Sequence, residues 1–436
     1  MDLASLAIIT GGLLLFSLVS GRLQGTIFTA PLVFIVFGYA VGDGGFKLAQ
    51  IDVGHSAIHF VAELTLILVL FADAARIDLD RVRRDHNLPV RMLLIGLPLS
   101  IAAGTLIALQ LFPAFSFWEA ALLAALLAPT DAALGQAVVS DSAVPVRIRQ
   151  AINVESGLND GIALPAVLLL AALAGAGHGE TGAMDWIRFG VLQVTLGPLA
   201  GVAVGYVGAR LLDIAAERGW ANTSFQGIGI LALAMFAYAM AEMIGGNGFI
   251  AAFVGGMVFG NSIRHPCTFL FEFMETEGQL LVLITFLVFG AVLLPESLAQ
   301  INLSYLLYAV LSLSVIRMIP IALALVGSGL RLPSQLFLGW FGPRGLASIL
   351  FVLLILEESE MPHRDELLAI TVVTVGLSAL LHGVSAAPLA RLYGSHAKRM
   401  GECEENQPVP EIPLREGNAL MKHAVTGNDS TRTDAT

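Results

Sequence analysis

The chain is predicted to be an all-α polytopic membrane protein of 13 transmembrane helices, two inverted six-helix repeats with helices 5 and 12 broken. Three observations predict this. Of 436 residues, 56% are hydrophobic and only 13% charged, about half the roughly 25% typical of a soluble domain. Apolar stretches recur from the N-terminus to about Arg391, and most approach the ~20 residues needed to cross a hydrocarbon core as a helix. Two of them carry a helix breaker beside a charge near the centre.

The first six spans read as 3–20, 27–41, 57–75, 90–112, 117–138 and 148–174. The next seven read as 186–212, 226–244, 248–261, 280–294, 303–327, 333–356 and 365–391. The opening stretch lacks a basic n-region and is expected to be a retained span rather than a signal peptide. Lys and Arg collect in cytoplasmic loops. An external N-terminus places 15 basic residues inside, five of them in the loop from Arg76 to Arg91, and only Lys47, Arg188 and Arg364 outside. That alternation supports the span count.

Within 117–138 the run Ala128-Pro129-Thr130-Asp131 interrupts the helix, and within 333–356 Phe341-Gly342-Pro343-Arg344-Gly345 does the same. With the seventh span as linker, the two breaks occupy corresponding places in halves of opposite topology. Such paired broken helices point to the binding site of an inverted-repeat transporter.

Inside the sixth span lies Glu155-Ser156-Gly157-Leu158-Asn159-Asp160. Residues four apart share a helix face, so Ser156 and Asp160 form one stripe and Glu155 and Asn159 its neighbour. Asp160 and Asp131 both fall well inside the hydrocarbon zone, where a lone carboxylate is tolerated only if neutral, paired or facing water. An acid disfavoured as an anion can yield its proton to an arriving hard cation and retake it on departure. Asp160, Asp131, Thr130 and Ser156 are the candidate cation and proton site, with Na⁺ expected at Asp160, Ser156 and Thr130.

Each of these residues also has a plainer reading. Asp160 or Asp131 would serve as a structural bridge to an arginine, and Thr130 and Ser156 as small packing residues. Glu155 reads first as half of an ion pair, with mid-span Arg317 its best partner. Arg344 at a break would neutralise exposed carbonyl dipoles. Glu63, in the third span, would line an access funnel or make an interhelical hydrogen bond. His55, His59 and His382 read as interfacial residues near helix ends more readily than as pH sensors. Cys267 and Cys403 lie far apart with no zinc or disulfide spacing. No cofactor and no nucleic-acid partner is expected.

Domain 1–400 is expected to hold the membrane part, and 401–436 to be a disordered cytoplasmic tail, since it is polar and carries seven acidic against three basic residues. A cation channel, which needs no titrating carboxylate, and an intramembrane protease with paired aspartates are the readings from other classes.

The two motifs Ala128-Pro129-Thr130-Asp131 and Glu155 to Asp160, together with Phe341 to Gly345 and Arg317, resemble the monovalent cation:proton antiporters, specifically the sodium/proton exchanger branch bearing an Asn-Asp pair. The resemblance runs over about residues 5 to 392. It implies a homodimer in the plasma membrane, with a core of helices over about 90–174 and 303–391 moving against a scaffold over 3–75 and 186–294. It implies Asp160 as the carrier of Na⁺ (or Li⁺, or K⁺) and H⁺, with Thr130, Ser156 and Asp131 contributing ligands or shaping the site, Glu155 and Arg317 as a stabilising pair, and Asn159 as a mark of electroneutral one-for-one exchange. Ala132 stands where many relatives carry proline after the aspartate, and that departure touches the backbone around the cation.

Overall fold

In the computed structural model the described residues are 3–23, 26–48, 55–77, 79, 87–175, 183–264, 278–357, 361–399 and 403–406. Cys267, the arginines at 81, 83 and 84, the tail beyond 406 and the side chains of His55, His59 and Arg188 lie outside them. The described residues contain helices and no strand. Among the described residues eight helices are long and apolar enough to cross a membrane, and leucines such as Leu14, Leu18, Leu211 and Leu303 stand exposed on their flanks.

In chain order the helices are α1 (Leu3–Leu23), α2 (Ala30–Val41), α3 (His55–Ala75), α4 (Asn87–Leu111), α5a (Phe117–Leu126), α5b (Ala132–Val139), α6 (Val146–Gly175), α7 (Ala183–Glu217), α8 (Thr223–Met243) and α9 (Gly248–Ser262). There follow α10 (Gln279–Ala299), α11 (Leu303–Ala324), α12a (Leu332–Trp340), α12b (Leu346–Glu357) and α13 (Arg364–Arg399). Local chemistry sets several starts. Ser116 and Glu119 form a reciprocal capping box on α5a, and Asn222, Asn247 and Asn302 cap α8, α9 and α11 through their side-chain oxygens. In α4 and α10 a π-turn, Met92–Gly96 and Phe289–Leu293, comes just before a proline. The extra residue absorbs the amide that proline lacks and the clash of its ring with the preceding turn.

The span over 303–327 is not one straight helix. Ser314 (φ −115°, ψ −92°) separates Leu303–Leu313 from Val315–Ala324, and Pro320 lies inside the second piece, where it removes one backbone donor.

Two packed groups emerge. Helices α3, α7, α8 and α9 pack together, and α4, α5, α6, α11, α12 and α13 form the other set. The first group is held by backbone-to-backbone approach: a Cβ at Gly201 or Gly205 of α7 would run into the backbone of Ala251 or Gly255 of α9. One at Gly256 or Gly260 of α9 would run into Phe71 or Ala75 of α3. Small-residue seams of this kind let membrane helices gain close van der Waals contact where no hydrophobic drive separates helix from lipid.

The disordered tail expected from residue 401 needs a correction at its start. Glu404–Asn406 is a 3₁₀ turn with Glu405 fully buried. The Glu405 carboxylate accepts from the Arg331 amide (2.8 Å) and the Ser334 hydroxyl (2.9 Å), the Asn406 amide donates to Ala397 O (2.9 Å), and Glu404 pairs with Arg147. Composition alone misled here, because four residues suffice when three helix ends supply their partners.

Candidate functional site

The two breaks meet. Helix α5a stops at Leu126 and α5b starts at Ala132; α12a stops at Trp340 and α12b starts at Leu346. Each interruption strands backbone carbonyls and amides inside the protein, and buried backbone groups need partners. Arg344 Nη1 donates to Ala128 O (2.6 Å) and Pro129 O (3.1 Å), covering the carbonyl end of the first break. Ser348 Oγ donates to Leu126 O (2.7 Å). In return, Asp131 Oδ2 accepts the Leu346 amide (2.6 Å) at the start of α12b, while Oδ1 accepts the Leu134 amide (3.2 Å) of its own α5b. The Asp131 amide donates to Pro343 O (2.8 Å). Asp131 therefore caps two helix N-termini at once, where a negative charge is favoured.

Glycine at 342 and 345 is required by closeness. A Cβ at Gly345 would overlap the Asp131 carboxylate, and one at Gly342 would overlap the Arg317 guanidinium.

Glu155 and Arg317 form a two-pronged pair at 3.1–3.2 Å, both side chains almost wholly buried. Arg317 Nε also donates to Gly339 O (3.2 Å), fixing the end of α12a. The Thr130 hydroxyl lies 3.1 Å from Glu155 Oε2 and 3.1 Å from Ser156 Oγ, and it accepts from Asn159 Nδ2. Thr130, Glu155, Ser156, Asn159 and Arg317 are thus one network.

Asp160 stands beside this network and outside it. Its Oδ1 is buried with no hydrogen-bond partner among the described residues, as is Asn159 Oδ1. A buried oxygen without a donor is costly, and this one sits on the stripe that carries Ser156. The acidic groups that act on it through charge are Asp131, Asp73 and Glu155, the last already paired with Arg317. Like charges gathered this closely disfavour a full set of anions and favour a bound proton or metal cation.

Asp73, near the end of α3, was not singled out from sequence. The signal in the sequence is a second carboxylate, after Glu63, in the apolar run of α3. Glu63 is elsewhere: its carboxylate accepts a hydrogen bond from the Tyr238 hydroxyl of α8.

His382 also needs correction. It is buried in the middle of α13, not interfacial. Its Nε2 lies 2.9 Å from Trp340 O, the last carbonyl of α12a, and its Nδ1 lies 3.1 Å from Ser378 Oγ, which accepts the Arg344 amide (2.7 Å). The ring is a staple across the second break.

The transmembrane sodium/hydrogen exchanger family model matches residues 7–392. The chain is 24% identical over 434 residues to the K(+)/H(+) antiporter NhaP of Alkalimonas amylolytica, covering 98% of this chain and 74% of that protein. It is 27% identical over 405 residues to the Na(+)/H(+) antiporter NhaP of Pseudomonas aeruginosa, covering 85% of this chain and 91% of the relative. Its fold is similar to that of the sodium proton antiporter MjNhaP1 from Methanocaldococcus jannaschii, with a TM-score of 0.75, 18% identity, and 91% and 99% of the two chains covered.

Proposed function

The chain belongs to the sodium/hydrogen exchanger family of membrane-embedded cation/proton antiporters, and from that premise we propose that it exchanges Na⁺ for H⁺, one for one, at Asp160. The observation that carries the reading is the Asp160 oxygen that has no hydrogen-bond partner among the described residues, beside the crossing of two broken helices and acted on by the carboxylates of Asp131, Asp73 and Glu155. A proton or a cation satisfies that oxygen, and the two compete for it. Competition for one site makes the exchange obligatory.

In this reading Asp160 and Ser156 face the cation, and Asp73 adds negative field from α3. Thr130, whose hydroxyl already serves Glu155, Ser156 and Asn159, holds Ser156 in place. Asp131 and Arg344 shape the site by closing the two breaks. The 13 spans, the inverted six-helix repeats, an external N-terminus, a homodimer and the division into a moving core and a scaffold belong to the same proposal. The packing of α4–α6 with α11–α13 supports that division.

K⁺/H⁺ exchange is the second reading, favoured by the name of the relative matched over 98% of this chain. The test is proton flux in proteoliposomes on adding Na⁺, Li⁺ and K⁺ in turn, with and without an imposed potential. Alkalinisation or acidification driven by Na⁺ and indifferent to potential is expected. A response to K⁺ alone selects the second reading, and no response to any of the three rejects antiport.

A further inference from the structure

Two glycines flank Asp160 along α6, one turn apart on the same face, and their surroundings differ. At Gly157 an added Cβ would find only Ile77 Cδ1, at 4.0 Å. At Gly161 it would overlap three ring carbons of Phe253. The ring thus lies flat on the Gly161 backbone, and Phe253 is only 5% exposed. The glycine face next to Asp160 is open at Gly157, toward the start of α6, and covered at Gly161, toward its end.

Phe253 belongs to α9, which is locked to α3 and α7 by the glycine seams, whereas Gly161 belongs to α6, which packs in the other group. The contact therefore joins the two packed groups one residue from the carboxylate. A flat ring on a bare backbone has no side chain to interlock with, so the two surfaces can part without a rotamer change on α6. An apolar closure of this kind stops hydrated ions by dewetting.

We propose that Phe253 is the gate residue of this transporter: its ring, seated on Gly161, closes the path between Asp160 and the membrane face at which α6 ends. The proposal rests on the antiport reading for its purpose but is tested without it. In it, alternating access requires the Phe253–Gly161 contact to open once per cycle.

The test places a single cysteine at Leu164, one turn beyond Gly161 and 1% exposed, in full-length protein carrying Cys267→Ser and Cys403→Ser, reconstituted in proteoliposomes. Labelling by a membrane-impermeant maleimide is then followed. Phe253→Ala and Gly161→Ala are each expected to raise the labelling rate at least fivefold, and their combination no further, because both undo one contact. The apparent KM for the transported cation should stay within twofold, since no group at Asp160 is altered. If Phe253→Ala does not fold, Phe253→Leu and Gly161→Ala carry the same comparison. Unchanged labelling in folded variants, or fully multiplicative effects, would overturn the gate and leave Phe253 as packing. Raised labelling in a protein that exchanges none of Na⁺, Li⁺ and K⁺ would keep the closure and reject the antiport reading, so the two fail separately.

Discussion

Arg344 and Asp131 exchange places: the guanidinium from the α12 break covers the carbonyls of the α5 break, and the carboxylate from the α5 break caps the first amide of α12b. Each charge faces the helix end whose partial charge it opposes. Both residues stabilise the crossing through backbone groups of the opposite break.

Arg344→Ala leaves two buried carbonyls without a donor, at about 1–3 kcal/mol for each unsatisfied group. Asp131→Ala removes two helix caps, about 1 kcal/mol each. Thermal unfolding in detergent is expected to rank Arg344→Ala below Asp131→Ala and both below the parent. Asp131→Asn, which keeps one acceptor, should fall between Asp131→Ala and the parent.

Breaking the Glu155–Arg317 pair strands a buried charge. Glu155→Gln and Arg317→Met should each cost about 3–5 kcal/mol, whereas the double variant should recover much of that loss. A double-mutant cycle on unfolding temperatures checks it, and additive single losses would argue against the pairing as an energetic unit.

Asp160→Asn removes the carboxylate proposed to trade a proton for a cation. Cation-driven proton flux should disappear while the unfolding temperature holds or rises, since an acidic cluster loses one member. Retained exchange would transfer the role to Asp73 or Asp131. Asp73→Asn is expected to weaken the apparent cation affinity several-fold and leave turnover nearly intact, because it acts on Asp160 through charge.

Glu405 lies beyond the membrane spans. Burial pushes its carboxyl up, but hydrogen bonds from the Arg331 amide, its own backbone, Cys403 and Ser334 outweigh this and hold it below the ordinary value of 4.5. A depressed value means that the stability it lends is fully present above 4.5 and is lost as pH falls through the lower, folded-state value. Hydrogen–deuterium exchange at 403–406, corrected for intrinsic rates, should show protection constant from pH 8 to 5 and falling below 4.5. Glu405→Gln should be less protected and nearly independent of pH.

What could be read from sequence was what backbone chemistry marks locally. Pro129 and Gly342-Pro343-Arg344-Gly345 announce breaks because proline and glycine act on their own residues, and charges in apolar runs announce themselves by rarity. Arg317 and Glu155 suggest each other by sign, as opposite charges in mid-span. Asp73 carries no such mark, because its nearness to Asp160 is set by how α3 packs on the site. The role of His382 depends on which carbonyl of α12a ends up facing α13, a tertiary fact. Phe253 on Gly161 had no signal at all: a phenylalanine and a glycine in apolar helices are ordinary until their distance is known.

The turn at Glu404–Asn406 is a handle. Through Arg147 it grips α6, through Arg331 and Ser334 the start of α12a, and through Ala397 the end of α13. A dye joined at Cys403, in this turn, would travel with those three helices as one piece. Paired with a second dye on α7, it becomes a ruler for a single-molecule test of whether the two packed groups move relative to one another.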